Sequence, residues 1–359
     1  MDYPRPPRVS RKTIVRAGDI LINRDSSSEK LLFAREILNR WRAAHAYPIN
    51  TFQSTLRAKT RYGQFGKDAV IAQRLKRAST IISKLSELKP FNIGLLNMQD
   101  IAGVRAILPS IKDVRSLEEE FRANKRFPHE LKRSRDYIQE PKEKDGYRSI
   151  HLIYKYKNKM HREWNGLLVE VQIRTRLQHS WATAVETIHT FMGKAVKTRQ
   201  GQKSDEKWTE FFCLVASAFA IIEGTPVVNG HTHMTQEEIL SSIRKHEKEL
   251  KVMEKLRAFP VALRTMWNKA RKSHFHLIVL DTAKKTINVA SFGREESKKA
   301  NLVYERIEKR NANNETVEPV LVSTTEGSLR SAYSSFFADT KDFAEHLGYI
   351  LSGRWVKNP

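Results

Sequence analysis

Residues 167–175, Leu-Leu-Val-Glu-Val-Gln-Ile-Arg-Thr, alternate between apolar and polar side chains. Successive side chains of a β-strand point to opposite faces, so one face of this segment suits a protein core. The other face carries a carboxylate, an amide and a guanidinium, from Glu170, Gln172 and Arg174. An edge strand with a solvated face would explain the pattern in an arbitrary protein, but two nearby strands carry polar residues as well.

A helix is predicted directly after this strand. Thr175 is a suitable N-cap, and Gln178, three residues later, would complete a capping box. Apolar residues then recur at helical spacing until Gly193, which is typical of a helix end. They are Leu177, Trp181, Ala184, Val185, Ile188 and Met192.

Two further segments combine apolar strands with polar residues. Residues 100–105, Asp-Ile-Ala-Gly-Val-Arg, begin with Asp100, a candidate helix cap or Mg²⁺ ligand, because Mg²⁺ prefers carboxylate and phosphate oxygens. Residues 145–151, Asp-Gly-Tyr-Arg-Ser-Ile-His, follow a lysine-rich turn. An aromatic ring after a glycine at a strand start suits base stacking, although a lone Tyr147 or His151 more often has a structural role.

A cluster of four cations surrounds a predicted helix start further upstream: Arg74, Lys76, Arg77 and Lys84. The N-terminus of a helix favours anions, so this cluster suits phosphate binding. A solvated basic face is an equally good interpretation of the cluster alone.

The composition indicates a polyanionic partner. The chain has 359 residues and a formal net charge of +24, which suits nucleic acid or highly charged nucleotides. Its single cysteine, Cys213, excludes an intrachain disulfide and a Cys-rich zinc site. We find no apolar leader and no run of about 18 apolar residues, so we expect a cytoplasmic protein without a membrane partner.

Four motifs in a fixed order carry a family resemblance. Arg-x-Lys, Asp-x-x-Gly-x-Arg, Gly-Tyr-Arg-Ser-x-His and Glu-x-Gln-Ile-Arg-Thr together resemble the synthetase domain of the RelA/SpoT family of alarmone synthetases, over about residues 50–225. The resemblance implies an α+β fold of the nucleotidyltransferase type, with a mixed sheet flanked by helices. It also implies a pyrophosphokinase that moves the β,γ-pyrophosphate of ATP to a 3′-hydroxyl. The chain lacks the His-Asp pair of the family's hydrolase domain and resembles a small, synthetase-only member.

The resemblance also implies a role for individual residues. Asp100 and Glu170 would bind Mg²⁺, Glu170 would be the general base, and Tyr147 would stack on the acceptor base. ATP would be held by Arg74, Lys76, Lys84, Arg105 and either Lys142 or Lys144, with the two arginines on the two sides of the adenine. The acceptor and phosphate contacts would be completed by His151, Gln172 and Arg174.

The acceptor of the pyrophosphate is left open by the motifs. The net charge favours tRNA, whose 3′-terminal adenosine would be modified and translation blocked, because phosphate backbones attract basic surfaces. Free GTP, GDP or an adenosine nucleotide is the alternative. A basic RNA-binding protein without activity is the non-enzymatic alternative.

The remaining sequence indicates an appended regulatory part. We expect a basic, extended lead over residues 1–24, the synthetase domain over residues 25–225, a linker and connecting helix over residues 226–270, and a small α/β domain over residues 271–359. This arrangement resembles fused toxin–antitoxin members linked to phage defence, in which the C-terminal domain restrains the synthetase until a phage protein such as a capsid protein binds. Tyr333 and Phe336 are nearest to the family's blocking Tyr-x-x-Tyr element, although ordinary helix packing would explain them equally well.

Overall fold

The computed structural model describes residues 3–62, 69–76, 78–123, 127–192, 201–257, 275–281, 284, 286–311, 317–323 and 340–355. The chain divides into two compact units. The first comprises Met1–Ile138 and Ser149–Arg176, and the second comprises Gln139–Arg148 and Leu177–Pro359. The domains expected from the sequence were defined by function, and their boundaries differ from those of the compact units. The functional division stays a prediction.

A five-stranded mixed sheet forms the centre of the first unit. Its strands lie in the order β1-β2-β5-β4-β3. β2 and β5 pair in parallel, and every other neighbouring pair is antiparallel. The strand bounds are β1 Val70–Leu75, β2 Ala102–Leu108, β3 Glu130–Asp136, β4 Ile150–Lys155 and β5 Leu168–Thr175.

The apolar face of this sheet is covered by helices. α3 packs on β1, β2 and β5, and α5 packs on β2 and β5. Val169, Val171 and Ile173 on β5 are completely buried, as their alternation predicts. A mixed sheet flanked by helices confirms the expected α+β fold class. The helices of the unit are α1 Arg11–Ile22, α2 Ser28–Ala44, α3 Ala46–Tyr62, α4 Ala78–Leu88 and α5 Ile111–Ala123.

The expectation of an extended lead over residues 1–24 is wrong for α1. The side chain of Ser10 caps this helix by accepting a hydrogen bond from the Thr13 amide at 3.1 Å. Ile14, Ala17 and Leu21 are buried in the core of the first unit. These apolar residues recur at helical spacing, but the segment is also rich in basic residues, and the expectation of an extended lead rested on that composition.

Among the described residues, five helices of the second unit share one apolar core. Trp181 on α6, Phe212 on α7, Ile243 on α8 and Phe343 on the last helix are all members of it. The ring centroid of Phe343 lies 6.1 Å from that of Phe212, so the C-terminal helix packs directly on α7. The bounds are α6 Arg176–Met192, α7 Gly201–Glu223, α8 Gln236–Leu250, α9 252–257 and, at the end of the chain, α11 340–351.

The expected small C-terminal α/β element is present in the second unit. β6 (Phe275–Asp281), β7 (Thr286–Phe292) and β8 (Val317–Ser323) form an antiparallel sheet in the order β7-β6-β8. α10 (Ser297–Arg310) packs on all three strands. Within the described ranges, none of the helices is long and apolar enough to cross a lipid bilayer.

Candidate nucleotide site

The pairing register of the main sheet gathers polar side chains on one face. Gly103 on β2 pairs with Glu170 on β5, Arg105 pairs with Gln172, and Gln172 pairs with His151 on β4. Paired residues have their side chains on the same face of a sheet. Arg105, Glu170, Gln172 and His151 therefore lie together on the face opposite to the apolar core.

A chain of hydrogen bonds connects these side chains. Arg105 Nε donates to Gln172 Oε1 at 3.2 Å, and Gln172 Nε2 donates to Glu170 Oε2 at 2.8 Å. The other oxygen of Glu170, Oε1, lies 2.9 Å from His151 Nδ1. Both carboxylate oxygens of Glu170 are therefore held in place, and the residue is only 8% exposed.

The surroundings of Glu170 keep it ionised. Burial is the strongest single influence and would raise the pKa of the carboxyl group. The hydrogen bond and charge of His151, with the hydrogen bond of Gln172, outweigh burial, so the pKa lies below its ordinary value. At neutral pH, Glu170 is thus a carboxylate that can accept a proton.

Asp100 lies just before β2 and holds two lysines. Lys76 Nζ and Lys84 Nζ each lie 2.5 Å from Asp100 Oδ2. Burial would raise the pKa of Asp100, but the hydrogen bonds and charges of the two lysines together lower it below its ordinary value. The backbone of Lys76 is fixed as well, because its amide donates to Ile101 O at 2.8 Å and its carbonyl accepts from Arg42 Nε at 2.6 Å.

The donor set around Asp100 suits a hard divalent cation. Asp100 Oδ1 is buried and has no hydrogen-bond partner among the described residues. The charge of Asp100 also acts to raise the pKa of Glu170, so the two carboxylates interact electrostatically. No cluster of three or more His, Cys, Asp or Glu ligands occurs within the described ranges. The buried Oδ1 of Asp100 and its interaction with a second carboxylate fit Mg²⁺, which takes few protein ligands and completes its shell with phosphate oxygens and water.

Arg74 and Arg105 extend from neighbouring antiparallel strands. Arg74 pairs with Gly103, and Ala72 pairs with Arg105, so the two arginines are diagonal neighbours on the polar face. The Cα atoms of such neighbours are about 7–8 Å apart. The expected placement of the adenine between the two guanidinium groups stays a prediction. Gly103, which lies opposite Arg74, adds no side chain to the space between the two arginines.

Arg174 differs from the other polar residues of β5. Its side chain is 2% exposed, compared with the half-buried Gln172 on the same strand. A phosphate contact by Arg174, expected from the sequence, therefore stays a prediction. Tyr137 was not singled out in the sequence, yet its ring contacts His151 edge-on at 5.2 Å. Its position after the unpredicted strand β3 explains why no sequence pattern pointed to it.

Tyr147 and the loop lysines belong to the second unit. Lys142 Nζ lies 4.8 Å from the centre of the Tyr147 ring, a cation–π contact. Lys144 instead lines a cavity with Glu143, Cys213 and His231. The two lysines thus have different surroundings, and the choice between them as a phosphate ligand stays a prediction. Tyr333 and Phe336, expected to be autoinhibitory, lie outside the described residues.

Comparison with known proteins assigns the central part of the chain. Residues 73–192 match the family described as "Region found in RelA / SpoT proteins". This stretch begins in β1, ends with α6 and includes Asp100, Tyr147 and Glu170. The expected RelA/SpoT region is therefore confirmed for these residues.

Two curated relatives each match about a third of the chain. The GTP pyrophosphokinase YjbM of Bacillus subtilis (strain 168) is 34% identical over 119 residues, which are 33% of this chain and 55% of that protein. The GTP pyrophosphokinase YwaC of the same organism is 33% identical over 123 residues, 32% of this chain and 55% of that protein. The chain thus spans about half the length of the curated relatives that it matches.

Solved structures of small alarmone synthetases are also similar. Small alarmone synthetase 1 from Bacillus subtilis, bound to its product pppGpp, is 25% identical, with 50% of this chain and 93% of that chain covered and a TM-score of 0.39. Small alarmone synthetase 2 from the same organism is 22% identical, with 51% and 96% covered and a TM-score of 0.40.

Proposed function

We propose that the protein is a pyrophosphotransferase that moves the β,γ-pyrophosphoryl group of ATP to the 3′-hydroxyl of a guanosine nucleotide. The observation that carries this proposal is the pair of ionised carboxylates, Glu170 and Asp100, within a RelA/SpoT region. The relatives named GTP pyrophosphokinases favour GTP or GDP as the acceptor.

The residues of the polar face suit each part of this reaction. Glu170 accepts the proton of the 3′-hydroxyl, and the hydroxyl oxygen forms a bond to the β-phosphorus of ATP. The bond between this phosphorus and the α,β-bridging oxygen breaks, and AMP leaves with that oxygen. Phosphoryl transfer needs positioning and charge neutralisation rather than covalent catalysis, which Lys76 and Lys84 would provide.

Nucleotide binding would exchange one set of ionic contacts for another. Lys76 and Lys84 share a single carboxylate in the free protein, so their charges are only partly compensated. Phosphate oxygens would be a further partner for both ammonium groups. Asp100, with Glu170 nearby, would hold Mg²⁺, which when bound neutralises developing charge on the transferred phosphates.

The test is transfer from labelled ATP. Purified protein is incubated with ATP labelled at the γ-phosphate and with GTP, GDP or deacylated tRNA, and the labelled product is identified. We expect label on the guanosine nucleotide together with release of AMP. Release of inorganic phosphate alone, or no change in ATP, would contradict the proposed reaction.

A tRNA acceptor is the second candidate, and α1 favours it. Arg8, Arg11, Lys12 and Arg16 are exposed on or just before α1, and none forms an ion pair with the described residues. The first turn of α1 contains no acidic residue, although a helix N-terminus favours anions over cations. An unpaired cationic helix face suits a phosphate backbone. Replacing Arg11, Lys12 and Arg16 with glutamine should then reduce transfer to tRNA and leave transfer to GTP unchanged.

Control by the C-terminal part is a further component of the proposal. The support is that α11 packs on α7, and the Cys213 and Ala216 positions of α7 lie against Gly146 in the loop before Tyr147. Tyr333 and Phe336 would compete with adenine, and a phage protein would relieve the block. Tyr333→Ala should therefore be more toxic in cells than the parent, and equal toxicity would exclude the block.

A further inference from the structure

Arg148 follows Tyr147 in the Gly-Tyr-Arg-Ser-x-His motif, but it is not placed to contact a substrate. Its side chain is buried, with 3% exposure. Arg148 Nη2 donates to the carbonyl of Pro226 at 2.6 Å, and Nη1 donates to Thr225 Oγ1 at 3.4 Å. The guanidinium is therefore directed to the segment that follows α7, away from solvent.

This buried cation remains charged at neutral pH. Burial lowers the pKa of Arg148 to about 10, and the negative charge of Glu223 opposes that shift. Glu223 accepts a hydrogen bond from Gln178 Nε2 at 2.8 Å, so its position relative to α6 is fixed. A buried charged donor has lost its hydrogen bonds to water. Breaking the hydrogen bond to the Pro226 carbonyl would therefore cost free energy, because water could not replace it.

The loop before Arg148 has several contacts with the same elements. Asn229 Nδ2 donates to Glu143 Oε1 at 2.6 Å, and the Cys213 thiol lies 3.9 Å from the Glu143 carbonyl. Within the loop, the amide of Gly146 donates to Lys142 O at 2.7 Å, and the amide of Tyr147 donates to Asp145 Oδ1 at 3.0 Å. The loop is therefore a closed turn that is held at both ends.

We propose that Arg148 is a positioning residue for pyrophosphoryl transfer, because its buried guanidinium fastens the Tyr147 loop (residues 141–147) to Thr225 and Pro226. This inference rests on the proposed function, in which the Tyr147 ring stacks on the acceptor base. Releasing Arg148 from its acceptors would let the loop move and would weaken binding of the acceptor. The other expected ATP ligands, Arg74, Lys76, Lys84 and Arg105, lie in the first unit, so binding of ATP would change much less than binding of the acceptor.

The test compares Arg148→Met with Arg148→Lys and with a matched control, Arg115→Met. Arg115 forms ion pairs with Glu118 and Asp136 in the first unit and has no part in the proposed site. Arg148→Met should raise the KM for the acceptor about tenfold or more, as expected for loss of a charged hydrogen bond, and leave the KM for ATP within about twofold. Arg148→Lys, which keeps one charged donor, should be intermediate, and Arg115→Met should match the parent.

Hydrogen exchange supplies a readout that does not depend on activity. The amides of Gly146 and Tyr147 should exchange faster in Arg148→Met than in the parent or in Arg115→Met. If the parent transfers no pyrophosphate, the proposed function fails, while this measurement still tests the fastening of the loop.

Two results would overturn the inference. One is an unchanged exchange rate of both amides in Arg148→Met. The other is an equal rise in both KM values, which indicates general damage rather than positioning. If Arg148→Met does not fold, Arg148→Lys carries the test, and its acceptor KM must still rise more than its ATP KM.

Discussion

At the residue scale, Glu170 is held by donors that come from two different positions of the sheet. Gln172 lies two residues further along the same strand, and His151 belongs to β4. The alternation of residues 167–175 predicted that Glu170 and Gln172 share a face, but the contact to His151 depends on strand pairing. Pairing joins residues that are distant in the sequence, and no local pattern specifies its register.

Glu170→Gln should abolish transfer and leave the fold intact. The amide keeps the size of the side chain but cannot accept the proton of the hydroxyl, so the rate should fall by about 10²–10⁴-fold. Glu119→Gln, the same change at an exposed position on α5, is the control. Rates are measured with labelled ATP, and unfolding curves verify the fold. Activity within about threefold of the parent would remove Glu170 from its proposed role.

His45 should make the first unit less stable in acid. It is 1% exposed at the end of α2, its Nδ1 lies 2.8 Å from Trp41 O, and burial lowers its pKa to about 4. An unfolded histidine has a pKa near 6.5, so between about pH 6.5 and 4 the unfolded chain binds the extra proton and stability falls as pH falls. When the pH is lowered from 7 to 5, the free energy of unfolding of His45→Gln should fall by about 2 kcal/mol less than that of the parent. Denaturant unfolding at both pH values measures this difference, and parallel losses would contradict it.

At the element scale, the sequence predicted those elements whose apolar pattern is strong. β4, β5 and α6 were all predicted from their alternating or helical spacing, and all three are present. β1 and β3 were missed. β3, Glu-Leu-Lys-Arg-Ser-Arg-Asp, has one apolar residue, and β1 is largely exposed at the edge of the sheet. β1 is extended because its backbone pairs with β2, and β3 because its backbone pairs with β4. The periodicity of side chains in the sequence does not reveal such pairing.

Gly146→Ala should disturb the Tyr147 loop for two separable reasons. Gly146 has a φ of +73°, and an added Cβ would lie 2.9 Å from Ala216 Cβ and 3.2 Å from Cys213 Cα. Gly353 has a φ of +77° with open space around it, so Gly353→Ala measures the backbone cost alone. We expect Gly146→Ala to lower the free energy of unfolding by about 1–3 kcal/mol more than Gly353→Ala. If chemical denaturation shows the same loss of unfolding free energy for both variants, the packing of Gly146 against α7 is loose.

At the scale of the whole molecule, the division into compact units is the feature furthest from the sequence prediction. A boundary near residue 225 was expected, because a linker composition begins there. The second unit nevertheless includes α6 and α7 together with α11, the last helix of the chain. Packing between helices more than a hundred residues apart leaves no local signal, since each helix is simply amphipathic in the sequence.

Phe343→Ala tests whether α11 is an integral part of this helical core. Phe343 is completely buried, and its ring centroid lies 6.1 Å from that of Phe212 and 5.9 Å from that of Phe219. Removing a buried phenylalanine ring typically costs about 3–5 kcal/mol through lost burial and the cavity left behind. Phe91→Ala, the same change at a side chain that is 72% exposed, should cost far less. Denaturant unfolding followed by tryptophan fluorescence would report the loss, because Trp208 stacks on Phe212 in the same core. If the two variants were equally stable, α11 would be a peripheral helix, and its packing could not transmit a signal from the C-terminal sheet to α7.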